Sequence, residues 1–457
     1  MKTIHAVFFT VLFGLTFGNC GVSKDGSHNR GILAMDLIVM SQPQALVYIA
    51  NQGSGNFGVN VLQVSMTGAV SLLPGTSFGA IPGGLTATGI GSGHVLSTVK
   101  GANQVAILDA RQGSSPLRML SVGTNPNTIY VDPANTDHSW LLNDGNATGA
   151  DPILCSATQG SFSVIHDTSD PVLLAHTHAN LCVGKGPHDA ASQTQDPKLA
   201  MVTNQGDNTV SVIDNSEDSP TFLSQTGGIL NTIALASKPK GMVYSSLTNL
   251  FYTYLPASPG SIAVIDPTGN GNTGALGTPI ASVGTTYSVL KSDTTGQFLI
   301  LAGTDTSTSP NKGTLQIINV STGVKTPITV GSTGFSDVQQ SPDGKRLFVS
   351  TASTDASTST NLMYVYDSSN LPSLNLLSTI PVGKAATTYR TFALNSTGNS
   401  VQNIFVPNFS DGTISVIDGK SYNVTNSFTV GGNPSLTTIF QQGSGSSSMN
   451  MGGMNGM

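Results

Sequence analysis

One phrase of sequence occurs twice almost unchanged, as Asn208-Thr-Val-Ser-Val-Ile-Asp214 and as Gly412-Thr-Ile-Ser-Val-Ile-Asp418. Its apolar residues alternate with polar ones at a period of two, which predicts a β-strand. The Asp at its end favours a turn, because its side chain can accept hydrogen bonds from the backbone that follows. Six looser copies of the phrase end at Val64, Asp109, Asp167, Asp266, Asn319 and Asp367.

The eight copies are evenly spaced along the chain. Successive copies end 45 to 58 residues apart; a second apolar strand usually precedes the phrase, and a Val-Gly pair often follows it. Each repeat therefore predicts about four short strands, which cannot bury both faces alone and must stack on neighbouring repeats. The sequence predicts an all-β fold, a β-propeller of four-stranded blades. Eight blades of about 50 residues account for every copy, with seven blades as the alternative.

The two ends of the repeat region complement each other. The first unit begins directly at its second strand, Leu46–Ala50, whereas the last apolar segment, Gly432–Phe440, looks like a first strand with nothing after it. We therefore expect residues 435–440 to complete the first blade, which removes two exposed strand edges.

Several stretches resemble the YVTN-repeat β-propeller family. They are Val47-Tyr-Ile-Ala-Asn51, Met201-Val-Thr-Asn204, Ile404-Phe-Val-Pro-Asn408 and the hairpin Ser341-Pro-Asp-Gly-Lys-Arg-Leu-Phe-Val349. The resemblance covers nearly the whole chain after its N-terminal segment, and it implies a propeller, usually of seven blades in that family. The family is similar to lactonase-type propellers, so the resemblance also introduces an enzymatic interpretation.

Charge and motif content exclude several function classes. Charged residues are 9% of the chain, and the formal net charge is −6. No run of Lys or Arg could neutralise a row of phosphates, which disfavours nucleic acid as a partner. The sequence also lacks a C-x-x-C-H haem motif, a P-loop and a G-x-S-x-G nucleophile motif.

The first 20 residues are typical of an export signal. Lys2 is followed by the apolar stretch Ala6–Phe17, which is too short to span a membrane comfortably. Two processing routes stay open, since Thr16 and Gly18 fit an ordinary cleavage site while Cys20 fits the lipid-bearing first residue of a lipoprotein. We expect an exported protein of the periplasm, the outer cell surface or the extracellular space, with membrane contact only through a lipid on Cys20.

The remaining boundaries follow from the repeat region. We expect residues 21–40 to be a linker, 41–440 the propeller and 441–457 a disordered tail rich in Gly, Ser and Met. The tail offers four thioethers, from Met449, Met451, Met454 and Met457, which suit Cu(I). Copper is the one metal that this composition suggests; otherwise no cofactor is expected.

The third unit concentrates reactive side chains. Its two cysteines, Cys155 and Cys182, are expected to pair as a disulfide in an oxidising compartment. The expected hairpin register places His176 and His178 on one strand face near the cysteines, so the alternative is a metal site of two Cys and two His. In that register His166 lies at the other end of the hairpin and takes no part.

Four residues are candidates for the rim of the central channel. His188, Lys240, Asn127 and Phe335 stand near the starts of predicted first strands, and in a propeller the first strand lines the channel. They form either a solvated rim or a funnel that binds a protein or a small molecule, with His188 and Lys240 as its strongly polar members.

These features favour an exported, non-catalytic binding or scaffold propeller at the cell envelope or surface. A lactonase-like hydrolase with its site at the channel mouth is one alternative, and soft-metal handling through the tail or the third unit is another. The enzymatic interpretation is disfavoured because metal-dependent lactonase chemistry uses carboxylates that converge in the channel. The only Glu of the chain, Glu217, lies in a predicted turn.

Overall fold

The computed structural model describes residues 45–441 apart from 54–56, 88–92, 111–115, 146–154, 157, 168–174, 285, 306, 308–310, 331–332, 352–360 and 385–390. Cys20 and the four tail methionines lie outside the described residues. Helix is confined, in the described chain, to two short turns at Lys100–Ala102 and Gly269–Asn272. No helix among these residues is long and apolar enough to cross a membrane.

The strands form eight separate antiparallel sheets of four strands each, so the predicted propeller of eight blades is confirmed and the seven-bladed alternative is wrong. Blades 1 to 4 use β1 (Ala45–Asn51), β2 (Gly58–Val64), β3 (Val70–Ser77), β4 (Pro82–Ala87), β5 (His94–Val99), β6 (Gln104–Asp109), β7 (Pro116–Ser121), β8 (Pro126–Val131), β9 (His138–Asn143), β10 (Gly160–His166), β11 (His176–Val183), β12 (Pro187–Ser192), β13 (Leu199–Asn204), β14 (Thr209–Asp214) and β15 (Ile229–Ala234).

Blades 5 to 8 continue the same order, from an inner first strand to an outer fourth strand. They use β16 (Lys240–Ser245), β17 (Leu250–Leu255), β18 (Ser261–Asp266), β19 (Ala275–Leu276), β20 (Tyr287–Ser292), β21 (Phe298–Asp305), β22 (Lys312–Asn319), β23 (Lys325–Val330), β24 (Phe335–Gln340), β25 (Arg346–Thr351), β26 (Asn361–Asn370), β27 (Ser373–Val382), β28 (Ala393–Thr397), β29 (Ser400–Asn408), β30 (Thr413–Asp418) and β31 (Val424–Thr429).

The last strand closes the ring. Strand β32 (Pro434–Gln441) pairs antiparallel with β1, with Phe440 opposite Leu46 and Thr437 opposite Ile49, and so becomes the inner strand of blade 1. The predicted completion of the first blade by residues 435–440 is therefore confirmed. Closure covers the inner edge of β1, which would otherwise present unpaired backbone groups.

The hydrophobic core lies between the blades. The described residues form eight clusters of buried apolar side chains, one for each pair of neighbouring blades, including a cluster between blade 8 and blade 1. Between blades 3 and 4, for example, Trp140 and Phe162 pack with Ala190 and Val202. Eight blades share eight interfaces only in a closed ring, so burial itself specifies the closure.

The repeated Asn, Ser and Gly of the sequence meet at one point in a blade. Asn204, at the end of β13, donates from Nδ2 to Ser211 Oγ (3.0 Å), and the amide of Gly184 donates to the same Oγ (3.4 Å). A Cβ on Gly184 would lie 2.6 Å from Cγ of Asn204, so no other residue fits there. Asn408 makes the same contact with Ser415 in blade 8, which explains why the repeat keeps these residue types.

Candidate functional site

Two buried carboxylates and one buried ammonium group lie on the inner strands of the propeller. Asp189 and Asp337 occupy equivalent positions on β12 and β24, and Lys291 lies two positions further along β20. Their exposed fractions are 0%, 3% and 8%. The three come from blades 4, 7 and 6, so only the closed ring brings them to one channel.

Asp189 is held by groups of two blades. Its Oδ2 accepts hydrogen bonds from the backbone amide of Gly241 (2.9 Å) and contacts Nδ1 of His188 (3.0 Å). Gly241 adopts a left-handed backbone conformation, with φ of 68°, that turns its amide toward the carboxylate. The carboxylate is therefore fixed before any ligand arrives.

Asp337 is held within blade 7. It accepts hydrogen bonds from the backbone amide of Val338 (2.9 Å) and from Nε2 of Gln339 (3.1 Å). Gln339 also donates to the carbonyl oxygen of Phe392, in blade 8. The amide side chain thus positions the carboxylate and ties it to the next blade.

Burial and mutual charge shift the pKa values of this group. Burial lowers the pKa of Lys291, against the opposing effect of Asp337 and Asp189. Burial also raises the pKa of Asp337, against the stabilising charge of Lys291. Burial lowers the pKa of His188, but the charge of Asp189 and the hydrogen bond to it outweigh this effect and leave the pKa above its ordinary value. Shifted pKa values of this kind are common at functional sites.

A cavity of about 380 Å³ opens beside Lys291. Its walls come from the second halves of the inner strands and from the hairpins that follow, whereas His188 lies at the strand starts. The walls combine aromatic and polar side chains, among them Tyr130, Tyr244, Ser192, Gln339, Gln340 and Lys291. A cavity of this size, with largely apolar walls and a few polar side chains, suits a small molecule.

The structure separates the four predicted rim residues. His188 and Asn127 are half-buried at equivalent positions of β12 and β8, while Lys240 lies one position earlier on β16. Phe335 is wrongly placed by the sequence: it is 3% exposed and packs against the ring of Tyr364, with centroids 5.8 Å apart. It belongs to the core between blades 6 and 7.

The sequence also misplaced the histidines of blade 3. Cys155 and Cys182 are joined by a disulfide, so their sulfurs are not available as metal ligands. His176 pairs directly with His166 on β10, so the expected register, which put the two at opposite ends of the hairpin, is wrong. His176 lies at the end of the hairpin away from the disulfide, together with His166, which the sequence interpretation had excluded.

Two histidines of this group, His138 and His178, have lowered pKa values. Burial lowers the pKa of His138 to about 4, helped by His178, His166 and His176 and opposed by Asp137. Partial burial and the neighbouring His166 and His176 also lower the pKa of His178, although its side chain is largely exposed. At neutral pH His138 and His178 are therefore neutral imidazoles.

Comparison with solved structures supports the fold. The chain resembles Citrobacter koseri AztD (TM-score 0.58, 14% identity, covering 89% of this chain and 100% of that one). It also resembles the periplasmic gluconolactonase PpgL of Pseudomonas aeruginosa (0.52, 14%, 86% and 98%) and Kuenenia stuttgartiensis hydrazine synthase (0.51, 15%, 74% and 96%). At these identities the likeness is one of fold. No family model matches the chain, and no curated protein matches it.

The interpretation as a non-catalytic scaffold is corrected by these findings. It depended on a shortage of carboxylates in the channel. Asp189 and Asp337 are, however, buried on inner strands, where their charges raise the pKa of Lys291 against the effect of burial. The fold is, in addition, that of a named gluconolactonase. Sequence reasoning missed these residues because it considered only the first positions of each inner strand; Asp189 directly follows His188, and Asp337 lies two residues after Phe335.

Proposed function

We propose that this protein is a hydrolase that opens a small cyclic ester, a lactone, in the cavity beside Lys291. One observation supports the proposal. The buried amine of Lys291 lines the cavity, and the negative charges of the buried Asp189 and Asp337 favour its protonated form. Burial lowers the pKa of the Lys291 amine and so favours its neutral form, which can accept a proton, whereas an exposed lysine stays protonated.

The reaction needs one proton transfer in each direction. The neutral amine of Lys291 removes a proton from a water molecule as the water oxygen attacks the lactone carbonyl. The bond between the carbonyl carbon and the ring oxygen then breaks, and the ammonium returns the proton to the leaving ring oxygen. The products are a hydroxyl group and a carboxylic acid on one chain, so atoms and charge balance. Asp189 and Asp337 are positioning residues, because their negative charges stabilise the protonated form of Lys291.

The cavity favours an uncharged, hydroxyl-bearing lactone. Lys291 is the only cation among its described lining residues, and its charge already faces two carboxylates. A phosphorylated substrate would need further cations. Polar side chains such as Ser192, Tyr244 and Gln340 line part of the cavity, and a volume of about 380 Å³ fits a sugar-sized lactone.

Two observations support the family and the location that we propose. The contact of Asn204 with Ser211, repeated between Asn408 and Ser415, gives the Asn of a YVTN-type repeat a structural role in blades 4 and 8. The disulfide between Cys155 and Cys182 suits an oxidising compartment, as expected for an exported protein. We therefore propose an exported member of the YVTN-repeat propellers.

The test is hydrolysis of gluconolactone, followed by acid release at constant pH and corrected for spontaneous opening. Lys291→Met should lower kcat/KM by about 100-fold or more, since general acid–base catalysis contributes on this scale. The matched control is Lys420→Met, which removes an exposed lysine on the hairpin after β30 and should leave the rate unchanged.

A second variant separates catalysis from folding. Lys291→Arg keeps a positive charge near the two carboxylates but cannot give up its proton. It should therefore fold like wild type and be as inactive as Lys291→Met. A folded Lys291→Arg protein with wild-type activity, or a wild-type protein that opens no lactone faster than buffer does, would contradict the proposal. A phosphorylated gluconolactone serves as the comparison substrate and should react more slowly.

A further inference from the structure

A row of three histidines crosses the end of blade 3 that lies away from the disulfide. His166 on β10 pairs directly with His138 on β9 and with His176 on β11. A shift in register between Val164 and Ile165 leaves His178 as an extra residue in a β-bulge on β11. Bulges redirect side chains at functional sites, and this one brings a fourth imidazole to the row.

The side chains are close enough to share one ion. One ligand atom each of Asp137, His138 and His166 lies within 4.8 Å of the other two. Nε2 of His166 is 3.1 Å from Oδ2 of Asp137, and the rings of His138 and His178 are stacked with centroids 5.2 Å apart. The ring of His176 lies 5.1 Å from that of His166.

His138 is the buried member of this cluster, and its Nδ1 atom is free to bind a metal ion. It is 4% exposed, covered by Phe222 of blade 4 at a ring distance of 5.8 Å. Its Nδ1 is buried and has no hydrogen-bond partner in the part of the chain that the structure describes. A buried polar atom without a partner costs free energy, and a bound ion would satisfy it.

We propose that Asp137, His138 and His166 bind a divalent transition-metal ion, with His178 or His176 as the further ligand. Neutral imidazole together with carboxylate is a donor set that suits Zn²⁺ and its neighbours, whereas Mg²⁺ and Ca²⁺ need a shell of oxygen atoms. The site is independent of the cavity beside Lys291, because it lies in the groove between blades 3 and 4 and shares no residue with that cavity.

Small side-chain movements complete the site. Tetrahedral Zn²⁺ with bonds of about 2.1 Å keeps its ligand atoms about 3.4 Å apart, so distances of up to 4.8 Å must shorten by about 1.4 Å. His166 and Asp137 are partly exposed and can rotate, while buried His138 stays in place. The site thus combines one fixed ligand, His138, with two ligands that can rotate toward the ion.

The experiment is a titration of the full, EDTA-treated chain with Zn²⁺ in competition with a chromogenic chelator. Wild type should bind one Zn²⁺ at this site, and His166→Ala should weaken that binding by at least about 100-fold, since even indirect partners of metal ligands contribute 10- to 100-fold. His178→Ala, which removes an exposed ring, tests the further ligand. Thermal unfolding without metal checks that each variant is folded.

The matched control is His188→Ala, which removes a histidine beside an aspartate elsewhere in the ring and should not change Zn²⁺ affinity. Every variant keeps the methionine tail, so tail-bound metal would persist in all of them. Co²⁺ gives a second readout, because tetrahedral coordination produces visible absorption that His166→Ala should abolish. Failure of wild type to bind Zn²⁺, or equal binding by His166→Ala, would overturn the proposal.

Discussion

Asp132→Asn should remove a pH dependence of stability that the wild-type protein carries between about pH 4 and pH 6. Asp132 follows β8 and is 0% exposed. Its carboxylate accepts hydrogen bonds from Ser192 Oγ (2.8 Å), Asn215 Nδ2 (2.6 Å) and the amide of Ala134 (2.9 Å). It therefore links blades 3 and 4 beside the wall of the cavity, which Ser192 lines.

The magnitude follows from the pKa of this carboxyl group. Burial raises the pKa of Asp132 from 3.8 to about 6, although the hydrogen bonds from Asn215, Ala134 and Ser192 oppose the effect. A folded-state pKa above the unfolded one means that the protonated group favours folding. Its contribution is complete below about pH 4 and is lost as the pH rises through about 6. The difference corresponds to about 3 kcal/mol.

The assay is urea unfolding of wild type and Asp132→Asn at pH 4, 5, 6 and 7. The other groups are common to both proteins, so the difference between their unfolding free energies isolates Asp132. That difference should move by about 2.4 kcal/mol in favour of the Asn variant from pH 4 to pH 7, because part of the full effect falls below pH 4. Ser192→Ala removes one of the opposing hydrogen bonds and should shift the transition to higher pH. Parallel curves for wild type and Asp132→Asn would refute the reasoning.

Two further predictions concern the closure of the ring and the disulfide. Ending the chain after Gly432 removes β32 and should abolish cooperative thermal unfolding, whereas ending it after Gln441 should preserve it; cooperative unfolding of the shorter chain would count against closure by β32. Replacing Cys155 and Cys182 by Ser should lower the free energy of urea unfolding by about 3.5 kcal/mol for a sequence separation of 27, and an unchanged midpoint would contradict this.

The site combines a rigid scaffold with groups whose pKa values are shifted by burial. A hydrogen bond from the Gly241 amide fixes the carboxylate of Asp189, and one from Gln339 fixes that of Asp337. Both donors lie on inner strands of the propeller. Preorganised charge of this kind needs no rearrangement when a substrate arrives. The lowered pKa of Lys291 and the raised pKa of Asp337 both follow from burial, so the fold itself sets the chemistry.

The register of blade 3 shows where local pattern stops being informative. The sequence indicates the strands that carry His166 and His176, because alternation of apolar residues is a local signal. Their pairing depends on where the hairpin turns and on the bulge at His178, and alternation specifies neither. A slip in the assumed register was enough to move two histidines to the wrong end of the blade.

By itself, the sequence determined the architecture. The phrase ending at Asp214 and Asp418, its regular spacing and the unpaired strand at each end specify eight blades and their closure, since each repeat must bury its faces on neighbours. Only the tertiary structure decided the site. Asp189, Lys291 and Asp337 belong to three different repeats, and nothing in any one repeat shows that they meet. Ring closure brings them together, and burial in that ring gives them their shifted pKa values.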